Sequence, residues 1–191
     1  MGTRMELKAI AKEQIRGNLG ILFVCSVIPV FVSLIVGGLP SVGPLLAQII
    51  APAFAMSIVM IYLSLSYGET PKPADAFMGF SIFGKSLWMF IIMEFFIAVW
   101  SLLLIVPGVI KALGYAMAPY ILAENPDMQA MEALKESERM MNGYKMELFM
   151  LGLSFAGWGI LVAATFGIAG FYVIPYIEAT MTQFYHGLKD A

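Results

Sequence analysis

Cysteine and histidine each occur once in this chain, as Cys25 and His186. One cysteine excludes an internal disulfide framework and any multi-cysteine metal site, and one histidine excludes a His-rich metal cluster. Charge is scarce as well. Asp, Glu, Lys and Arg make up 13% of the 191 residues, where soluble domains carry about a quarter. The formal net charge of -2 offers no basic surface for nucleic acid. No GxSxG elbow, HExxH or paired-cysteine motif occurs, and His186, close to the C-terminus, has no evident triad partners. No enzymatic activity, cofactor or metal is therefore expected.

Hydrophobic residues are abundant instead, at 60% of the chain with a mean hydropathy of +0.85. Runs near the roughly 20 apolar residues that a bilayer core requires recur along it. The spacing predicts spans over 19–38, 42–67, 86–106, from Pro107-Gly108 to Ala123, 146–165 and 168–185. Pro29 inside the first leaves the Cys25 carbonyl without its helical donor, and Pro44 and Pro52 lie in the first half of the second. The N-terminus does not read as a cleavable leader, because its charged part is long and no small-residue cleavage site follows.

Polar segments alternate with these runs. Residues 5–16 place Leu7, Ile10, Ala11 and Ile15 on one helical face, with Lys8, Lys12, Arg16 and the preceding Arg4 largely elsewhere. This reads as an amphipathic helix on the membrane surface, ended by Gly17. A short Phe-rich helix is expected over 74–80. A larger polar helix is expected over 128–142, with Asn125 as its cap, Pro126 at its first position and Gly143 at its end. Every lysine and arginine except Lys111 falls in the N-terminal segment, the second or fourth connection, or the C-terminal tail. The positive-inside rule then makes that side cytoplasmic and puts both termini there.

The expected fold is an all-α integral membrane protein. Six transmembrane helices form three hairpins, each preceded by a cytoplasmic or interfacial amphipathic helix, in a single membrane domain over 1–191. Three glycine-to-phenylalanine re-entries (GNLGILF, GKSLWMF, GYKMELF) and the prolines Pro52, Pro107 and Pro175 suggest repeat units over 3–68, 74–124 and 125–190.

The segments VPGVIKALGYAMAPYILAENPDMQAMEALKES, NGYKMELFMLGLSFAGW and YVIPYIEATMTQFY carry a resemblance. Through them the chain resembles the domain-of-unknown-function 975 family of bacterial polytopic membrane proteins. These are similar to the membrane domain attached to some glycerophosphodiester phosphodiesterases. The resemblance implies a six-span fold in the bacterial inner membrane and carries no activity with it.

Gly79 to Ser86 reads GFSIFGKS, a literal match to the P-loop pattern. A P-loop needs a buried strand before it, and PKPADAFM cannot be one. The glycines are better suited to chain reversal and Lys85 to an interfacial anchor, so no nucleotide is expected. Gly152, Ala156, Gly159 and Ala163 form a small-residue stripe for a neighbouring helix of this chain or of a second copy.

Ionisable residues at membrane depth are the best site candidates: Glu94, Lys111 and Glu178, with Tyr115 one turn from Lys111 and Thr182 on the face of Glu178. Each charge costs about 2.5–3.5 kcal/mol at a helix centre and should face the bundle or water. Counting about 1.5 Å per residue from the outer turns brings Lys111 within reach of Glu178, so that pair is expected. The sequence supports a non-enzymatic membrane subunit that binds lipids, a protein partner or a second copy and supports envelope or export processes. The alternative is a small transporter or channel with Glu94, Lys111 and Glu178 along its path.

Overall fold

Prolines and glycines decide where the helices of this chain break. The computed structural model describes residues 3–190, at Leu103 the backbone only, and these are all helix and turn, with no strand. The terminal residues Met1, Gly2 and Ala191, and so the expected side of the termini themselves, lie outside the described residues. In order the helices are α1 (Arg4–Ile15), α2 (Leu19–Gly37), α3 (Gly43–Ser66), a 3-10 helix (Pro73–Ile82) and α4 (Phe83–Leu103). They continue as α5 (Ile105–Tyr115), α6 (Ala118–Glu124), α7 (Ala130–Met140), α8 (Lys145–Leu153), α9 (Ala156–Ala164) and α10 (Gly170–Lys189).

Five helical stretches are long and apolar enough to cross a membrane: Leu19–Gly37, Gly43–Ser66, Pro73–Leu102, Ile105–Glu124 and Lys145–Ala164. The sixth expected span, α10, is not among them. Its polar residues have other work: Tyr176, Thr180, Thr182 and Tyr185 are buried against the rest of the bundle. A helix surrounded by protein need not be apolar all round, and α10 packs on α1, α2, α3 and α9.

Two expected spans are broken. The fourth is α5 and α6, separated at Ala116–Met117. Pro119 lies in the first turn of α6 and has no N–H for the Tyr115 carbonyl, which stops α5 there. The fifth is α8 and α9, separated at Ser154–Phe155. The turn expected at Pro107-Gly108 also lies elsewhere. Leu104 takes the extended conformation (φ −160°, ψ 141°), and Pro107-Gly108 falls in the first turn of α5. A proline so placed gives up an N–H that has no helical partner anyway.

The caps differ in the same way. Asn125 does not open the long polar helix; it closes α6, its side-chain amide donating to the Ile121 carbonyl at 3.0 Å. Gln129 opens α7 in a capping box with Glu132. Glycine does end the polar helices α1 and α7, at Gly17 (φ +90°) and Gly143 (φ +88°). Gly84, by contrast, lies inside α4.

Most of the apolar face of α1 is covered by protein, with Ile10 left exposed. Leu7, Ala11 and Ile15 are buried, and the helix packs on α10, where the Gln183 amide donates to the Gln14 side chain at 2.9 Å. Bare apolar side chains cover α2, α4, α5 and α9 instead, among them Leu34, Phe95, Ile105 and Ile160.

Candidate functional site

Each broken span is closed by a polar helix, and this accounts for much of the chain's polar chemistry. At the α5–α6 break the fully buried Ser137 of α7 donates to the Gly114 carbonyl at 2.7 Å and accepts from the Met117 N–H at 3.1 Å. Both are backbone groups near the break, where the regular helical ladder ends. At the α8–α9 break Lys8 of α1 donates to the Ser154 hydroxyl at 2.6 Å and stands 4.2 Å from the centre of the Phe155 ring. Burial, followed by the nearby Arg4, lowers the pKa of Lys8. One hydroxyl and one ammonium, both carried on amphipathic helices, thus pin the two discontinuous spans.

Lys111 belongs to the first of these seams. Its Nζ lies 2.5 Å from Glu138 on α7, with side-chain exposures of 24% and 38%. It also stands 5.6 Å from the Tyr115 ring and 5.8 Å from the Trp100 ring. The expected pair with Glu178 does not form. The depth count compared residues within the spans only and left the polar helix out of account. In fact α7 lies against α4, α5 and α6, which brings Glu138 to Lys111.

Glu178 is half-buried and, among the described residues, forms no ion pair. It faces Tyr62 of α3 and Tyr120 of α6, and Thr182 spends its hydroxyl on the Glu178 carbonyl at 3.0 Å. Tyr62 is only 2% exposed, and its hydroxyl has no hydrogen-bond partner among the described residues.

Glu94 does not face the bundle either. It is exposed on α4, on a groove of about 630 Å3 between α3 and α4 that also presents Gln48, Ala51 and Pro52. Glu94, Lys111 and Glu178 therefore occupy three different surroundings and do not converge. Nor is the stripe of Gly152, Ala156, Gly159 and Ala163 covered by the described residues. Nothing lies within 4 Å of a Cβ placed on Gly152 or Gly159, and α9 buries no residue.

The P-loop match has another use for its first glycine. Gly79 lies in the 3-10 helix and donates its N–H to Ser57 at 2.9 Å, where an added Cβ would stand 2.0 Å from the Ala53 carbonyl oxygen. Lys85 donates to the Pro126 carbonyl, tying the start of α4 to the turn before α7. This is helix packing without the strand that a phosphate cradle requires.

One cluster was not anticipated. The Glu124 carboxylate accepts from Tyr67 (2.5 Å), Tyr185 (2.7 Å) and Lys189 (2.7 Å), which joins the ends of α3, α6 and α10. The Tyr67 phenol, outside the spans, is pushed up to about 12, first by its bond to Glu124 and then by burial. Beside it the Ser66 hydroxyl and His186 Nε2 are 2.7 Å apart. The signal in the sequence was an acid at a helix C-terminus, where the helix dipole disfavours it unless something else compensates. Among the described residues no group of three or more His, Cys, Asp or Glu side chains comes together as a metal site would need.

No curated protein and no solved structure matches the chain. A family described as "Protein of unknown function (DUF975)" matches residues 1–113 and 102–191. The two matches together run the length of the sequence, and the chain belongs to that family.

Proposed function

We propose that this protein is a non-enzymatic membrane subunit that binds lipid or a protein partner through its sides and supports envelope or export processes. The observation that carries this reading is where the polar groups go. Lys111, Ser137 and Lys8 are consumed in ties between helices, while Glu94 and Gln48 are presented sideways on a groove. A lateral carboxylate amid exposed Ile91 and Phe95 suits a surface that something covers. The bare small-residue stripe on α9 supports the same reading. Extraction in a mild detergent followed by mass spectrometry should recover lipid or protein in stoichiometric amount. Recovery of the chain alone, as a monomer without lipid, would end this proposal.

A second reading, a small transporter, rests on Glu178 alone. A half-buried carboxylate facing an unpartnered Tyr62 hydroxyl is a fitting place for a proton or small cation to pause. If this is the function, Glu178→Gln leaves the protein folded and abolishes flux in proteoliposomes. Unchanged flux, or none in the parent protein, removes it.

The same topology underlies both readings, with the charged connections on the cytoplasmic side of a bacterial inner membrane. With Cys25 replaced, cysteines at Ser41 and Phe166 should react from outside with an impermeant thiol reagent. Phe166 is 98% exposed in the turn before α10. Cysteines at Thr70 and Gln129 should react only after the membrane is opened. The reverse pattern would overturn the charge-based orientation.

A further inference from the structure

The groove between α3 and α4 gathers three polar features where hydrocarbon is expected. Glu94 lies about half-way along α4, flanked by exposed Ile91 and Phe95. Gln48 is exposed in the first half of α3 on the same groove. Pro52, one turn on, has no N–H to give the Gln48 carbonyl its usual helical bond. The ion pairs among the described residues are Lys111–Glu138, Arg139–Glu136 and Lys189–Glu124, and none of them uses Glu94.

A carboxyl, a primary amide and a freed carbonyl are therefore set out on a spanning face, and lipid tails satisfy none of them. Whatever covers the groove must bring donors and acceptors to membrane depth, which excludes acyl chains and places lipid headgroups too far out. It must also fit closely against Ala51 and Ala55, whose small side chains let another backbone approach.

We propose that the occupant is a second copy of this chain, packed groove to groove about a two-fold axis. The groove is chemically self-complementary. The Gln48 amide of one copy donates to the Glu94 carboxyl of the other, and the two-fold repeats the bond in reverse. Each copy thereby gives the other's Gln48 amide and Glu94 carboxyl a partner at membrane depth. This names the partner in the partner-binding reading above and rests on that reading.

The test is crosslinking in native membranes with two differently tagged copies, Cys25→Ala in both. Ala51→Cys or Ile91→Cys should join the two tags on addition of a short bis-maleimide, and Ile160→Cys on α9 should not. Gln48→Leu should lower the yield about tenfold, while Glu94→Gln, which keeps a hydrogen-bonding partner for Gln48, should keep it. Detergent-solubilised Gln48→Leu should remain monodisperse and as resistant to thermal unfolding as an isolated chain of the parent, which separates interface loss from misfolding.

A crosslink from Ala51→Cys to a different protein, or protection of that cysteine by bound lipid without any joined tags, overturns the two-fold proposal and leaves the binding reading standing. A cysteine at position 51 that is freely reactive and joins nothing, together with a monomer in native mass spectrometry, overturns both. Joined tags with equal yield in Gln48→Leu would show a dimer that does not use this polar pair, and that result also counts against the proposal.

Discussion

Gly79→Ala is expected to destabilise the protein by about 3 kcal/mol, the upper end of overpacking losses, and Gly79→Val to prevent recovery of folded protein. The 3-10 helix meets α3 at this point with backbone against backbone. An added Cβ stands 2.0 Å from the Ala53 carbonyl oxygen and 2.7 Å from the Ser57 nitrogen. Neither atom is the end of a flexible side chain that can swing away. Relief requires the two elements to separate, and separation breaks the Gly79 N–H bond to Ser57.

Gly84 provides the control. It is helical, nothing lies within 4 Å of its added Cβ, and Gly84→Ala should stabilise by about 0.5–1 kcal/mol, as alanine does over glycine in a helix. Unfolding followed in detergent micelles measures both. The contrast also bears on GFSIFGKS. A nucleotide cradle would need Gly84 and Lys85 more than it needs tight packing at Gly79. Loss of saturable ATP binding in Lys85→Ala would reverse that interpretation, and no such binding is expected.

The second large effect is at the seam of α7 with α5 and α6. Ser137→Ala removes a hydroxyl that serves the Gly114 carbonyl and the Met117 N–H in a fully buried position. Leaving such groups unsatisfied costs about 1–3 kcal/mol each, so a total near 3 kcal/mol is expected. The same seam holds Lys111 and Glu138. Lys111→Met and Glu138→Gln should show a coupling of about 0.5–1 kcal/mol in a double-mutant cycle, because both side chains are partly exposed. Lys111→Met and Glu178→Gln should add within about 0.5 kcal/mol. Coupling to Glu178 in place of Glu138 would mean that α7 does not lie where the structure puts it.

The seam also shows what can and cannot be read from one-dimensional spacing. Ala130, Ala133, Leu134 and Ser137 are the buried face of α7 at three- and four-residue spacing, continued by the capping Met141. A serine on that face was a visible anomaly, and its explanation was not visible. The groups it serves belong to a break caused by Pro119, eighteen residues earlier. Nothing local connects the two.

Composition and periodicity were enough to establish an all-helical chain with stretches able to cross a bilayer. Apolar runs of spanning length have few other stable arrangements when each backbone group must be bonded within its own segment. Helix ends with a local chemical cause, such as Gly17 and Gly143, were legible for the same reason. Tertiary structure decided the pairing of charges. Glu138 rather than Glu178 meets Lys111 because α7 lies along the bundle, and depth counted along single hairpins holds no information about a neighbouring helix. It also decided which faces are bare. Glu94 is exposed and most of α10 is covered, although α4 is the more apolar of the two, because burial depends on the surrounding helices and not on the residues of one helix alone.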